Sequence, residues 1–299
     1  NFFTEEKRRE FFSILSNFSN KKFQRKVITD LKKNFRQKEY TKNWKNGKIS
    51  NLTYLLCINK YSCRSYNDTS QYPVVPWITL ANGKIRDLAY TIQAQTEDQR
   101  EVLQIKYEES DQKNKMHYCI LYSNASFVQY YLVRYSPFTE EQIKLQVGKF
   151  DSPDREFASL DELFTYISRS NETRELIPQF FSCVEFSYNY NCNYFGIKRN
   201  GKIVHNLIFP KNQSPFHYIA EQLDILNSIE SKEKLNSFID NIFGAGQYAS
   251  KEKCNTFQKY SYQELYSFND KIAKYKDRNY TLEQIKSKIF IKIDTMMNF

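Results

Sequence analysis

The sequence is poor in the residues from which common catalytic motifs are built, since its 299 positions hold only 7 Gly, 7 Pro and 3 His. It contains no GxSxG, P-loop, dinucleotide-binding glycine pattern or kinase signature, which argues against the enzyme classes that depend on them. The histidines, His117, His205 and His217, are scattered, and none stands at ligand spacing with a cysteine or another histidine. We therefore predict no enzymatic activity, no cofactor and no metal.

The six cysteines include no CxxC pair, and a chain of this length does not need disulfides to fold. No apolar run approaches the roughly 20 residues that a transmembrane helix needs. The N-terminal stretch is charged where a signal peptide is apolar, and it begins with Asn1 instead of methionine. We expect reduced thiols, no membrane-spanning helix, and an excerpt of a longer intracellular protein.

Aromatic residues are abundant. The 23 Tyr and 24 Phe belong to a composition that is 16% aromatic and 40% hydrophobic, which is too much apolar material for a disordered chain. No internal repeat and no Gly/Ser-rich linker divides the sequence, so we expect one folded domain.

The charge balance is basic, with 44 Lys and Arg against 34 Asp and Glu and a net charge of +10. This surplus favours an acidic partner, such as a membrane surface, an acidic protein face or a nucleic acid. Many lysines lie on amphipathic segments such as KKFQRKVITDLKKNF, where a solvated helix face is the simpler explanation. Most aromatic residues fall at core-facing positions, which disfavours a nucleic-acid-binding module.

Apolar residues at helical spacing predict several helices. The pattern runs through residues 5–36 and returns in the tail from 263 to 299. Ser50 is placed to cap a helix that ends before Arg64. Two capping boxes, a proline in a first turn and a C-terminal glycine mark further helices: Thr139 with Gln142, Ser159 with Glu162, Ser214-Pro215, and residues 231–244 with Gly244 as the cap.

Residues 64–80 show neither a helical period nor a clean alternation, and Pro73 and Pro76 remove two backbone donors. We predict an extended, partly buried segment whose backbone groups bond to side chains. The side chains that we expect to satisfy them are Arg64, Asn67, Asp68 and Gln71.

Two other segments are predicted to be irregular or tightly turned. Residues 148–157 contain Gly148, Pro153 and several charges, which is typical of an irregular connection. Asn200-Gly201 stands between apolar runs and predicts a short hairpin, in which we expect both residues to adopt positive φ.

The run GKISNLTYLLCINKYSCRSYNDTSQYPVVPW, residues 47–77, resembles the N-terminal hallmark of BEACH domains, the Beige and Chediak-Higashi type. Further blocks follow in the order of that family: IRDL at 85–88, VRYSPFT at 133–139, GKFDSPDREF at 148–157 and ELIPQFF at 175–181. The resemblance continues through the hairpin region and FIDNIFG to NTFQKYSY at 255–262. It predicts a BEACH domain at 44–262, with a helical lead-in at 1–43 and a C-terminal helical part of the same domain at 263–299.

The sequence is a divergent member of the family that it resembles. Thr69 stands where the family usually has leucine, and Val75 where phenylalanine is common. Leu121 replaces a typical histidine and Phe238 a tryptophan, and the basic run expected after Gly244 is weakened to AGQYASKEK. These changes keep bulk or apolar character, but they remove polar groups that could serve interactions of the family.

The resemblance implies an α-plus-irregular fold, with a core of extended segments that have little regular secondary structure, surrounded by helices, and one short hairpin. It implies a non-enzymatic scaffold or adaptor in vesicle, lysosome and autophagic traffic. The expected partners are a PH-like domain and WD repeats of the same polypeptide, together with trafficking or assembly proteins and an acidic membrane surface. The implied location is the cytoplasm, peripheral on endomembranes.

One alternative keeps the fold and changes the role: the domain could be a structural subunit of a large assembly with no membrane contact. A basic nucleic-acid-binding module is the less favoured alternative.

The candidate site consists of the polar and aromatic residues of the resembling blocks. It is either a recognition groove or a polar network that locks the extended core. Asp151, Asp154 and Arg155 also allow acid–base or metal chemistry, but turn caps and an ion pair explain them more simply. The candidate residues are Asn51, Arg64, Tyr66, Asn67, Asp68, Gln71, Tyr72, Pro73, Pro76, Trp77, Arg86, Asp87, Arg134, Phe138, Lys149, Phe150, Asp151, Asp154, Arg155, Pro178, Phe180, Asp240, Phe243 and Gly244.

Overall fold

The structure is a computed structural model. The residues that it describes are 10, 14, 31–80, 83–112, 114–146, 148–150, 152–169, 173–248 and 251–258. Most of the helix predicted at 5–36, the whole tail from 263 to 299 and the candidate residue Asp151 lie outside the described residues.

The described part of the chain is mostly helical, which confirms the prediction of an α-rich fold. Its α-helices, in chain order, are α1 Leu31–Gln37, α2 Tyr40–Lys45, α3 Asn51–Tyr61, α4 Glu97–Glu109, α5 Ala125–Tyr131, α6 Phe138–Leu145, α7 Leu160–Arg169, α8 Gln179–Ser182, α9 Pro215–Asn227 and α10 Ile229–Phe243. Short 3-10 turns lie between them, among them Thr69–Gln71, Pro153–Arg155 and Glu185–Ser187.

Side chains that accept backbone hydrogen bonds fix several helix starts. The Ser50 hydroxyl accepts from the Thr53 amide at 3.1 Å, which confirms Ser50 as the N-cap of α3. Ser214 caps α9 in the same way, and Pro215 occupies the first turn, where its missing donor has no helical partner to lose. A reciprocal capping box of Thr96 and Gln99 starts α4, a helix that was not predicted.

The capping box predicted at Thr139 is wrong. Helix α6 already begins at Phe138, and the buried Thr139 hydroxyl donates to the Val133 carbonyl at 2.6 Å, so it does not cap the helix. Only half of the box at Ser159 forms: its hydroxyl accepts from the Glu162 amide at 3.5 Å. The Glu162 carboxylate pairs instead with Lys198.

Helix α10 begins at Ile229, two positions before its predicted start, because Ser228 caps it by accepting from the Ser231 amide. Gly244 ends it as predicted, yet in an extended conformation and not in the left-handed one that favours glycine. Glycine is needed at position 244 because of limited space, since a Cβ there would lie 2.7 Å from Asp240 Oδ1.

The predicted turn at Asn200-Gly201 closes a short hairpin, in which Ile197 and Ile203 form an antiparallel bridge. The amide of Gly201 donates to the Lys198 carbonyl at 2.9 Å, and of the two turn residues only Gly201 has positive φ. The expectation of positive φ at Asn200 is therefore wrong, because the loop has three residues and only its last is left-handed.

The centre of the core is an extended segment, residues 72–79, which is buried throughout. Val75 pairs with Leu176 and Thr79 with Ile85 in isolated antiparallel bridges, and no sheet forms within the described ranges. The Phe180 ring packs near this segment and contacts Tyr131 at 5.0 Å and Trp77 at 6.1 Å between centroids. Helix α9 packs against α3, α8 and α10 on the outside.

Candidate functional site: a polar network beside an aromatic groove

Asn51 joins the beginning of α3 to the junction of α9 and α10. The Trp44 indole N–H donates to its Oδ1 at 2.6 Å, and its Nδ2 donates to the Leu226 carbonyl at 2.8 Å. Its backbone amide donates to Asn227 Oδ1 at 3.0 Å. Because both ends of the buried amide have protein partners, Asn51 serves the architecture and offers nothing to a ligand.

Asn59, two turns further along the same face of α3, satisfies the backbone of the extended segment. Its Nδ2 donates to the carbonyls of Leu55 and Val74 at 2.9 and 2.8 Å, and its Oδ1 accepts from the Val74 amide at 2.8 Å. Asn59 was not among the candidate residues. A polar side chain eight positions after Asn51, on an otherwise apolar helix face, was the available signal.

Arg64 performs part of the role predicted for it. Its guanidinium donates to the Tyr72 carbonyl at 2.9 Å and to the Tyr122 hydroxyl at 3.4 Å, and it lies 6.0 Å from the Phe243 ring centroid. The Arg64 side chain thus fixes the backbone at Tyr72, where the extended segment enters the core.

Asp68, Asn67 and Gln71 act locally. The Asp68 carboxylate accepts from the amides of Ser70 and Gln71 and caps the turn Thr69–Gln71. Asn67 and Gln71 take part through backbone atoms, the first donating to Ser65 Oγ and the second accepting from the Ser65 amide. The prediction that side chains satisfy backbone groups of residues 64–80 is therefore confirmed for Asp68 and wrong for Asn67 and Gln71.

A buried ion pair between Arg86 and Glu175 closes the network at Trp77. The two side chains are each 2% exposed, and their two Nη–Oε distances are 2.8 and 2.7 Å. Glu175 Oε2 also accepts from the Trp77 backbone amide at 3.1 Å, and the Trp77 indole donates to the Arg174 carbonyl at 2.7 Å. Glu175 was not among the candidates, although it is the one acid at the start of the apolar block ELIPQFF.

Arg134 forms a second buried cation site beside the hairpin. Its Nε donates to the His205 carbonyl at 2.6 Å, and its guanidinium lies over the Phe195 ring. Burial lowers the pKa of Arg134 to about 10, which leaves it charged at neutral pH. The Phe150 ring also packs against the Phe195 ring, with centroids 4.7 Å apart. Lys149 is exposed.

The carboxylate pair of Asp151 and Asp154 stays a prediction, because Asp151 lies outside the described residues. Asp154 accepts from the Arg199 amide at 3.2 Å and lies 3.5 Å from the Arg199 Nε, whereas Arg155 is exposed. Within the described residues no three His, Cys, Asp or Glu side chains come together as metal ligands would.

His117 is fully buried and stacks on Tyr107, and its Nδ1 accepts from the Thr256 amide at 3.2 Å. Burial, assisted by Lys106 and Lys251, lowers the pKa of His117 to about 4. The imidazole is therefore neutral at physiological pH and acts as a core residue.

The remaining candidates occupy the core or its margin. Pro73, Pro76 and Pro178 are buried with the extended segment. Asp87 is exposed and accepts from the Ala89 amide at 2.9 Å. Asp240 lies 3.7 Å from the Lys253 ammonium, and Phe243 is half-buried.

Four candidates, Tyr66, Asn67, Tyr72 and Phe138, come together at a groove of about 600 Å³ on the surface. Tyr66 and Tyr135 are 51% and 48% exposed, whereas Tyr72 is buried and accepts from the Gln179 amide at 2.7 Å. Burial raises the pKa of Tyr72 to about 12, so its hydroxyl stays protonated. The other lining residues are Thr69, Gln129, Leu132, Ser136, Pro137, Glu141, Gln179, Ser182, Cys183 and Phe186.

A helical layer around a buried extended segment, with motif side chains bonded to main-chain partners, defines an α-rich domain whose motifs maintain its architecture. The family model of the Beige/BEACH domain matches residues 42–294. The chain therefore belongs to the BEACH family, and the resemblance inferred from the sequence is confirmed. The predicted limits of 44 and 262 stay a prediction.

Similar curated proteins come from yeast, plants and mammals. The chain is 37% identical over 245 residues to Beige protein homolog 1 of Saccharomyces cerevisiae, which covers 75% of this chain and 11% of that protein. It is 35% identical over 248 residues to Protein SPIRRIG of Arabidopsis thaliana, with 76% and 7% covered. WD repeat- and FYVE domain-containing protein 4 of Mus musculus is 35% identical over 240 residues, with 73% and 8% covered. The chain thus spans about a tenth or less of the length of these relatives.

None of the helices in the described ranges is both long and apolar enough to span a membrane.

Proposed function

We propose that this domain is a non-enzymatic scaffold in vesicle and membrane trafficking, which holds a PH-like neighbour and protein partners at cytosolic membranes. BEACH domain proteins are generally linked to vesicle trafficking. Long multidomain relatives, one of them named for its WD repeats, support a domain that works beside others in one polypeptide. Autophagic traffic and peripheral attachment to endomembranes are part of the proposal.

The observation that carries the proposal is the groove beside Tyr66 and Phe138. Exposed aromatic side chains are enriched at sites where proteins bind each other, because they bury a large area and lose little conformational freedom. The polar motif residues Asn51 and Glu175 are already bonded to the chain and so are not available for acid–base chemistry. A rigid support with an open aromatic surface fits a scaffold better than a catalyst.

The basic surplus of +10 supports attachment to acidic membrane surfaces. Exposed lysines at the hairpin and nearby, namely Lys149, Lys202 and Lys211, are suited to such a contact.

The test is affinity purification of the full-length protein from its own cells, followed by mass spectrometry. The wild type is compared with a variant in which Lys149, Lys202 and Lys211 are changed to Glu, and with a control in which they are changed to Arg. We expect trafficking proteins and membranes to co-purify with the wild type and the Arg control, and membranes to be lost with the Glu variant. A particle of fixed stoichiometry that ignores the charge reversal would instead make the domain a structural subunit.

A further inference from the structure

The walls of the groove are aromatic and contributed by separate elements. Tyr66 precedes the extended segment and Tyr72 begins it. Tyr135 lies in the connection before α6, Phe138 is the first residue of α6, and Phe186 lies in the turn after α8. The Tyr66 and Tyr72 rings meet edge to face, with centroids 5.4 Å apart. Such walls accept flat apolar side chains and proline rings, as grooves that bind extended peptides do.

The floor of the groove presents two glutamine amides. Gln129 on α5 is only 4% exposed, lines the groove, and makes no side-chain hydrogen bond within the described residues. Gln179 uses its Nε2 for the Tyr72 hydroxyl, and its buried Oε1 has no hydrogen-bond partner. A side-chain amide carries a donor and an acceptor in the geometry of a peptide bond, so these groups match the backbone of an extended chain.

The charge at the groove is negative, although the whole chain is basic. Glu141 is the one charged residue among the described lining residues, and it pairs with Lys144 on the solvent side of α6. Glu140 and Glu185 stand at the edges, where they accept from the lining residues Ser136 and Cys183. This arrangement repels anionic lipid and attracts a cationic side chain.

We infer that the groove binds an extended peptide segment of a partner protein, which places apolar side chains against the tyrosines, bonds its backbone to Gln129 and Gln179, and directs one Lys or Arg toward Glu141. The inference rests on the proposed scaffold function, since it names the chemistry of the partner at the same groove.

The test uses a phage-displayed library of random 12-residue peptides, selected against the whole 299-residue chain. We expect the enriched peptides to share alternating apolar residues and one Lys or Arg. In fluorescence anisotropy with a synthetic enriched peptide, Gln129→Met should weaken binding about tenfold, because the variant keeps the side-chain volume and loses the hydrogen bonds. Glu141→Gln should weaken binding several-fold and reduce its dependence on salt.

The matched control is Glu109→Gln, an exposed glutamate on α4 outside the groove, which should leave the affinity unchanged. Thermal unfolding of each variant shows that it is folded. No common pattern among the selected peptides, equal binding by Gln129→Met, or displacement of the peptide by phosphatidylserine vesicles would overturn the inference.

The two proposals fail separately. If trafficking proteins co-purify with the full-length protein and no peptide is enriched, the groove inference is wrong and the scaffold function stands. If peptides bind as described and no trafficking protein co-purifies, the peptide groove is real and its role lies elsewhere.

Discussion

The ion pair of Arg86 with Glu175 is the contact on which most of the central network depends, because Glu175 also holds the Trp77 amide. Removing one partner leaves the other charged and buried without compensation. We expect Arg86→Met to lower the free energy of unfolding by about 3–5 kcal/mol, measured by urea denaturation. Arg155→Met, at an exposed arginine, is the control and should change it by less than about 0.5 kcal/mol. A similar loss in both variants would contradict this account.

Asn59 gives a second prediction at the scale of one residue. Asn59→Ala removes the partners of both the amide and the carbonyl of Val74 inside the core. We expect a loss of about 2–4 kcal/mol in the free energy of unfolding, since each buried unpaired group costs about 1–3 kcal/mol. Asn67→Ala, at an exposed position, provides the comparison, and an equal effect of the two would show that the bonds to Val74 carry little weight.

His117 makes stability depend on pH. Burial lowers the pKa of His117 to about 4 in the folded chain, below the 6.5 of an unfolded histidine. The unfolded state therefore binds a proton first, and stability falls as the pH decreases from about 6.5 to about 4. Over this range the free energy of unfolding of the wild type should fall by about 2–3 kcal/mol more than that of His117→Asn. Urea denaturation of both proteins at each pH measures the difference. Parallel pH profiles for the two proteins would contradict the assignment.

At the scale of elements, helices with side-chain caps were predictable from sequence, because a cap depends on neighbours within four residues. Ser50 and Ser214 are examples, and both helices begin where expected. Thr139 shows the limit of the rule. Its hydroxyl bonds to Val133 because the connection before α6 folds back, and no local pattern encodes that path.

The candidate site was predictable in part for the same reason. The family blocks located Asn51, Arg64 and Arg86. They also contain Asn59 and Glu175, but the roles of these two residues depend on partners in other segments, Val74 and Arg86, which no local pattern identifies. The groove likewise joins the extended segment to α5, α6 and α8, and Gln129 belongs to no predicted motif.

The hairpin provides a prediction about one element. Gly201 has φ of +80°, and a Cβ at that position would meet nothing within 4 Å, so only backbone strain opposes a side chain. Gly201→Ala should lower the free energy of unfolding by about 1 kcal/mol, and Gly201→Asn by less, because asparagine tolerates the left-handed region. Thermal denaturation of both variants tests this, and equal stability of Gly201→Ala and the wild type would show that the turn changes shape.

At the scale of the whole molecule, the core depends on contacts between distant segments. Val75 bonds to Leu176 and Trp77 to Glu175, so the backbone amides of Val75 and Trp77 lack these partners until the second half of the chain is present. We expect a chain that ends at residue 170 to show no cooperative thermal transition by circular dichroism. The intact chain is the control, and a sharp transition in the shortened chain would show that the first half folds alone.

The hydrogen bond between Asn51 and the Leu226 carbonyl can form only late in synthesis of the chain. The two residues are 175 positions apart, and at about 5–20 residues per second the ribosome needs roughly 10–35 s to pass from one to the other. Throughout that interval the Trp44, Asn51 and Tyr54 side chains are already synthesised, whereas the junction of α9 and α10 that packs against Asn51 is not. We expect a nascent polypeptide of this kind to offer apolar surface to chaperones during that interval, so that its yield in cells depends on them even where the finished domain is stable.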